Sequence, residues 1–273
     1  MKNMTKCFFV TLALIAGSFH CGWAMQAPLS ENEQRLIAAA NSGDSETVAR
    51  LLKIGVNVNA LDPWLSDTAL MKASTRGHTE IVRMLLAVDG INVDAQNIWP
   101  GNTALMQASY WGHIDIVRIL LAAKADVNAK TLSRYTALMK ASSKGHAAIV
   151  HMLIAVDGIN VNAYNDLGNT ALMEVASASM ESDRSSLYLM RAIDLLKAGA
   201  DITLTNYNGK TALDLARENG NIEIVQLFER YLEAIRDCVA DEWRDGLPLG
   251  GQPNCPLEVI KEYVMPFLDP DQK

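Results

Sequence analysis

The chain is 273 residues long, 49% hydrophobic and 20% charged, a balance that excludes intrinsic disorder and fits a folded chain. Its formal net charge is -7 and it has no Lys or Arg cluster, so the counterion release that drives phosphate-backbone binding is lacking and nucleic acid is not an expected partner. The first 24 residues read as a secretory signal peptide: Lys2 and Lys6 precede an apolar run from Cys7 to Gly17, and Gly22-Trp23-Ala24 supplies small residues before a cut. That run is shorter than the nearly 20 apolar residues of a comfortable membrane span. Acylation of Cys21 is disfavoured, because Phe19 and His20 stand where a lipid-attachment motif wants small residues. The expectation is export from a bacterial cytoplasm, to the periplasm or beyond, with no membrane attachment after cleavage.

Beyond the leader the chain repeats itself. Thr-Ala-Leu-Met starts at Thr68, Thr103, Thr136 and Thr170, and Thr-Ala-Leu-Asp at Thr211, with intervals of 35, 33, 34 and 41 residues. Periods of this size mark stacked supersecondary units in place of one central core. A degenerate copy from Glu31 keeps Leu36, Gly43, Leu51, Leu52 and Val58 at the same offsets but lacks the hairpin and the threonine, as an N-terminal capping unit would. Within a unit the threonine is a helix N-cap. Leu70, Met71, Ala73 and Ser74 then form one apolar or small face, Gly77 stops the first helix, and Ile81, Val82, Leu85 and Leu86 give the second helix its stripe. One short helix pair cannot bury both stripes alone, so stacking must do it.

These features, Thr-x-Leu opening a first helix, a Gly-His turn, a second helix ending in Leu-Leu and a Val-Asn-Ala stem, resemble the ankyrin repeat. The resemblance implies an all-α solenoid of stacked helix-turn-helix units with short β-hairpin loops. The array would span residues 25–232: an N-cap repeat at 31–62, then 63–96, 97–130, 131–164, 165–205 with an insertion, and 206–232. Two departures stand out. The usual Thr-Pro-Leu-His becomes Thr-Ala-Leu-Met in four copies, so Met71, Met106, Met139 and Met173 are expected to form a buried ladder, packing in place of metal or ligand binding. The fifth copy holds eight extra residues, expected to protrude near Glu181 to Ser186 as an extended loop or lengthened helix pair.

The resemblance also implies a binding face of hairpin tips and inner-helix ends. On it fall Trp64, Asp67, Thr75 and Arg76 in the second unit, Trp99, Asn102, Tyr110 and Trp111 in the third, and Leu132, Arg134, Tyr135, Ser143 and Lys144 in the fourth. Trp, Tyr and Arg are the residue types enriched at binding hot spots, so an exposed aromatic patch over units two to four is expected. The alternative is that Trp64 and Trp99 pack hairpin on hairpin, with Pro63 and Pro100 stiffening the turns.

Residues 233–273 form a C-terminal cap and tail. The last repeat helix is expected to continue through Leu227, Phe228, Tyr231, Leu232, Ile235, Val239 and Trp243. A Gly/Pro loop follows, then a short amphipathic helix from Pro256, where Val259, Ile260, Tyr263 and Phe267 would pack on the cap; this stretch also resembles the start of an F-box. Cys238 and Cys255 are the cysteines left after leader removal; a disulfide in an oxidising compartment is expected, with two free thiols as the alternative. No metal site, cofactor or catalytic constellation is expected: His78, His113 and His146 recur after glycines in a structural turn, and no nucleophile elbow or phosphate loop is present. Three readings remain: an exported monomeric scaffold that binds a protein, a host-directed adaptor whose terminal helix recruits ubiquitin ligase machinery, and an accessory protecting an exported enzyme.

Overall fold

A threonine or serine whose hydroxyl meets a free helix N–H begins every inner helix of this protein. In the computed structural model, which describes residues 29–178 and 185–244, twelve helices form six consecutive pairs. These are α1 (Glu31–Ser42) with α2 (Ser45–Lys53), α3 (Ala69–Arg76) with α4 (Thr79–Leu86), and α5 (Ala104–Trp111) with α6 (Ile114–Ala122). They continue with α7 (Ala137–Lys144) and α8 (Ala147–Ile154), α9 (Ala171–Ser177) and α10 (Ser185–Lys197), and α11 (Ala212–Glu218) and α12 (Ile222–Arg244). The odd-numbered helices stack on one another as an inner layer and the even-numbered ones as an outer layer. Each threonine from Thr68 to Thr211 accepts a bond from the backbone three residues on, while Ser30 makes a reciprocal capping box with Glu33 in the first unit. Each such cap is worth about 1 kcal/mol to its helix.

The core is a row of repeated contacts. Leu70, Leu105, Leu138 and Leu172 are buried beside Met71, Met106, Met139 and Met173, so the methionine ladder is internal packing. Ile81, Val82 and Leu85, with their counterparts Ile116, Val117 and Leu120 and Ile149, Val150 and Leu153, close the seam between the layers.

The Gly-His turn explains itself between units. Gly112 ends α5 at φ 83°, and a Cβ there would lie 2.6 Å from the His146 ring of the next unit. The glycine thus serves the helix end and makes room for a neighbour. The ring nitrogens of His78, His113 and His146 reach the Asn41, Thr75 and Tyr110 carbonyls of the preceding unit at 3.3, 3.1 and 3.1 Å. Burial pushes the His146 imidazole below its ordinary range, against the Tyr110 carbonyl, which favours the charged form. In the fifth unit, where the insertion replaces Gly-His, the fully buried Arg191 on α10 fills this place, donating to the Ser142 carbonyl at 2.9 Å. In the last unit Asn221 donates to the Ala176 carbonyl.

The loops are not β-hairpins in the strict sense expected. Among the described residues the only β pairing is the isolated bridge between Tyr164 and Thr170. One side-chain oxygen at the base of each loop organises it instead. Asp62 Oδ1 accepts from the backbones of Trp64, Leu65 and Ser66, and Asn97, Thr131, Asn165 and Asn206 play the same part in later units. Such Asx and hydroxyl turns fold a short loop without a ladder. On the far side, Asn59, Asn128 and Asn162 of the Val-Asn-Ala stems each donate to a glycine carbonyl of the next unit and accept the backbone N–H two residues further on, from Asn92, Asn160 and Asp201.

In the fifth unit α10 is 13 residues long, against eight or nine for its counterparts in units two to four, so part of the extra length is helix. Helix α12 runs on to Arg244 as one 23-residue element, burying Leu227, Phe228 and Tyr231. The expected leader, the tip of the insertion, the expected pairing of Cys238 with Cys255 and the expected helix from Pro256 lie outside the described residues.

Candidate partner-binding face

The last turn of each inner helix and the loop before it share one edge of the array, and the side chains there are the ones the core does not consume. Trp64 is 89% exposed, Trp99 64% and Trp111 55%, which rules out hairpin-on-hairpin burial of Trp64 and Trp99. Tyr110 meets Trp111 edge-on at 5.3 Å. Lys140 and Lys144, one turn apart on α7, both lie over Tyr110, at 5.6 and 4.7 Å from the ring centroid, and Lys140 also stands 5.7 Å from Tyr135. Burial lowers the Lys140 ammonium below the usual lysine range. At the loop tip Arg134, with φ 62°, stacks 4.5 Å over Tyr164 at the far end of the same unit. Arg76 ends α3 exposed and donates to Asn41 of the first unit at 3.1 Å.

Two residues of the expected face belong to the scaffold. Asp67 and Asn102 are each 7% exposed. Asp67 pairs with Lys72 at 2.7 Å and accepts from Asn97 at 2.8 Å, bolting the second loop to the third. The Asn102 carbonyl accepts from the Asn97 backbone N–H, and its own N–H donates to Asn97 Oδ1. Both sit directly before the capping threonine, where the loop returns under the helix.

Reading by repeat offset also missed part of the surface. Leu65, Ile98, Leu167 and Tyr207, which it did not name, are exposed along the loop tips with Trp64, Trp99 and the expected Leu132, forming an apolar crest. Backbone bonds join neighbouring tips: Ile98 donates to Leu65, Leu132 to Pro100, Asp166 to Ser133 and Tyr207 to Leu167. Their distances from the following threonine vary from three to five residues, so no fixed offset marks them. The useful signal was an apolar residue within three positions after the Asp, Asn or Thr that closes each loop.

Among the described residues, no group of three His, Cys, Asp or Glu side chains could hold a metal ion, and no helix is long and apolar enough to cross a membrane. A groove of about 220 Å³ beside the seam of units five and six is lined by Tyr164, Gly168, Thr170, Leu204, Thr205 and Tyr207.

Fold and face together define a repeat protein built for contact along an extended surface. Models described as ankyrin repeats match residues 36–131 and 121–176. An Escherichia coli (strain K12) relative named as an ankyrin repeat protein, YahD, is 34% identical over 192 residues, covering 70% of this chain and 92% of its own length. An ankyrin repeat domain from Acinetobacter baumannii AYE is 33% identical with a TM-score of 0.63, over 70% of this chain and 94% of that one. A chain from the complex of the predatory endopeptidase Bd0816 of Bdellovibrio bacteriovorus with immunity protein Bd3460 is 30% identical with a TM-score of 0.62, over 72% of this chain and 96% of that one. The chain belongs to the ankyrin repeat family, whose arrays are protein-protein interaction scaffolds.

Proposed function

We propose that this protein is an exported, non-enzymatic scaffold that binds a protein partner through the inner face and loop tips of units two to four. The observation that carries it is the exposure of Trp64 and Trp99 on loops already closed by their own hydrogen bonds, and of Trp111 at the end of α5. These rings are not needed to shape the loops. Contiguous exposed aromatic surface favours being covered by a partner, and tryptophan is the residue type most often dominant in such contacts. Export is supported by the basic and apolar pattern of residues 1–24.

A second reading, in which the partner is an exported enzyme that the array shields, is favoured by the similarity to a chain from the complex of an endopeptidase with an immunity protein. The test is affinity capture with the leaderless chain, comparing wild type with Trp99→Ala plus Trp111→Ala. Both rings are exposed, so the double variant is expected to keep the wild-type circular dichroism spectrum and lose the captured protein. Undiminished capture by a folded double variant would refute the aromatic face. An exported hydrolase among the captured proteins, inhibited on binding, would favour the second reading.

A further inference from the structure

We infer that the inner face of units three and four receives an acidic, extended segment of its protein partner, whose carboxylates meet Lys140 and Lys144 beside Tyr110 and Tyr135. This rests on the protein-binding reading above and narrows it to a chemistry. The chain carries a net charge of -7, yet the face runs the other way, presenting Arg76, Arg134, Lys140 and Lys144. The two acids that share it in the second unit, Asp62 and Asp67, are both engaged by Lys72, at 2.8 and 2.7 Å. At the fifth-unit end, Glu174 accepts from Asn165 at 3.0 Å, and Asp166 lies in the exposed loop beyond.

Lys140 and Lys144 have no ion-pair partner among the described residues; their neighbours are aromatic faces. Arg134 is held in the same way over Tyr164, and its Nε is buried without a hydrogen-bond partner. Aromatic faces hold a cation in place without neutralising it, leaving its donors open. A carboxylate arriving between the rings would gain charge-assisted hydrogen bonds in a half-buried setting, where they are stronger than on open surface. A peptide satisfies both the charge and the flanking Trp99 and Trp111. A uniform polyanion would meet that patch but be repelled by the rest of an acidic molecule.

The probe is a displayed library of random ten-residue peptides, selected on the full chain and mapped by hydrogen exchange. Selected peptides are expected to be enriched in Asp and Glu, to protect α5 and α7, and to weaken as salt is raised. Lys140→Gln plus Lys144→Gln should weaken a selected acidic peptide about tenfold or more, the scale of a lost hydrogen bond to a charged group. Lys144→Gln alone, at an exposed site, should weaken it in the same direction and answers for any loss of folding in the double variant. Selected peptides without acidic bias that still protect α5 and α7 would overturn the inference while leaving the aromatic face standing. Acidic peptides indifferent to both variants, or duplex DNA competing for the same residues, would overturn it too. Failure to select any peptide that protects this face would count against both.

Discussion

Glu174 shows how one letter in a repeated column changes the physics of the array. The column holds Lys72, Gln107, Lys140 and Glu174 in successive units, always two residues before a small residue on the inner helix. Lys72 is half-buried but ion-paired. Burial opposes its charge, yet the hydrogen bonds it donates to Asp62 and Asp67 hold its ammonium above the ordinary lysine range. Glu174 has only amide donors, and burial raises its carboxyl above the usual range although Asn169 and Asn165 pull the other way. A raised acid binds its proton more readily in the folded chain than in the unfolded one. Its contribution to stability is therefore largest at low pH and is lost as pH rises from the unfolded value, about 4.3, through the folded one. Glu174→Gln should accordingly raise the thermal midpoint at pH 7, and a gain on the order of 1 kcal/mol is a shift of ~2–4 °C for an array of this size. The gain should shrink at pH 4. A gain that is equal or larger at pH 4 would contradict this account of the site.

At the scale of the element, each helix pair is specified twice, once by its own sequence and once by the next unit. Threonine caps, apolar stripes and glycine stops are local signals, and they were legible because each is a spacing rule. What the spacing did not reveal is the second half of the Gly-His rule: the glycine of one unit leaves space for the histidine of the next. Gly112→Ala must strain a φ of 83° and also crowd His146, so it should cost more than about 1 kcal/mol by urea denaturation. Pairing it with His146→Ala should recover part of the loss, because the clash goes and the strained φ stays. A double variant no more stable than Gly112→Ala would mean that the two units are not coupled through this contact. Arg191 was invisible in the sequence for a related reason. It sits 45 residues after His146 and beyond an insertion, so only the packing reveals that a guanidinium has taken an imidazole's place.

Taken as a whole molecule, the array separates what holds it together from what it offers. The leucine and methionine ladders and the ladder of loop-closing oxygens lie inside or beneath, and stability in such a chain is roughly a sum over units and their interfaces. The aromatic residues of the proposed face were readable because Tyr110, Trp111 and Tyr135 break columns otherwise filled by small or polar residues. Asp67 and Asn102 were misplaced because a polar residue beside a loop looks the same in sequence whether it faces a partner or pins the backbone. The rest of the crest, Leu65, Ile98 and Leu167 beside the expected Leu132, escaped because the loops differ in length. The central claim is that recognition lies on the inner face, and hydrogen–deuterium exchange of the chain with and without its captured partner tests it most directly. Protection is predicted in the loops at 62–67, 97–102 and 131–135 and in the last turns of α5 and α7, with α4, α6 and α8 unchanged. Protection confined to those outer helices would contradict it.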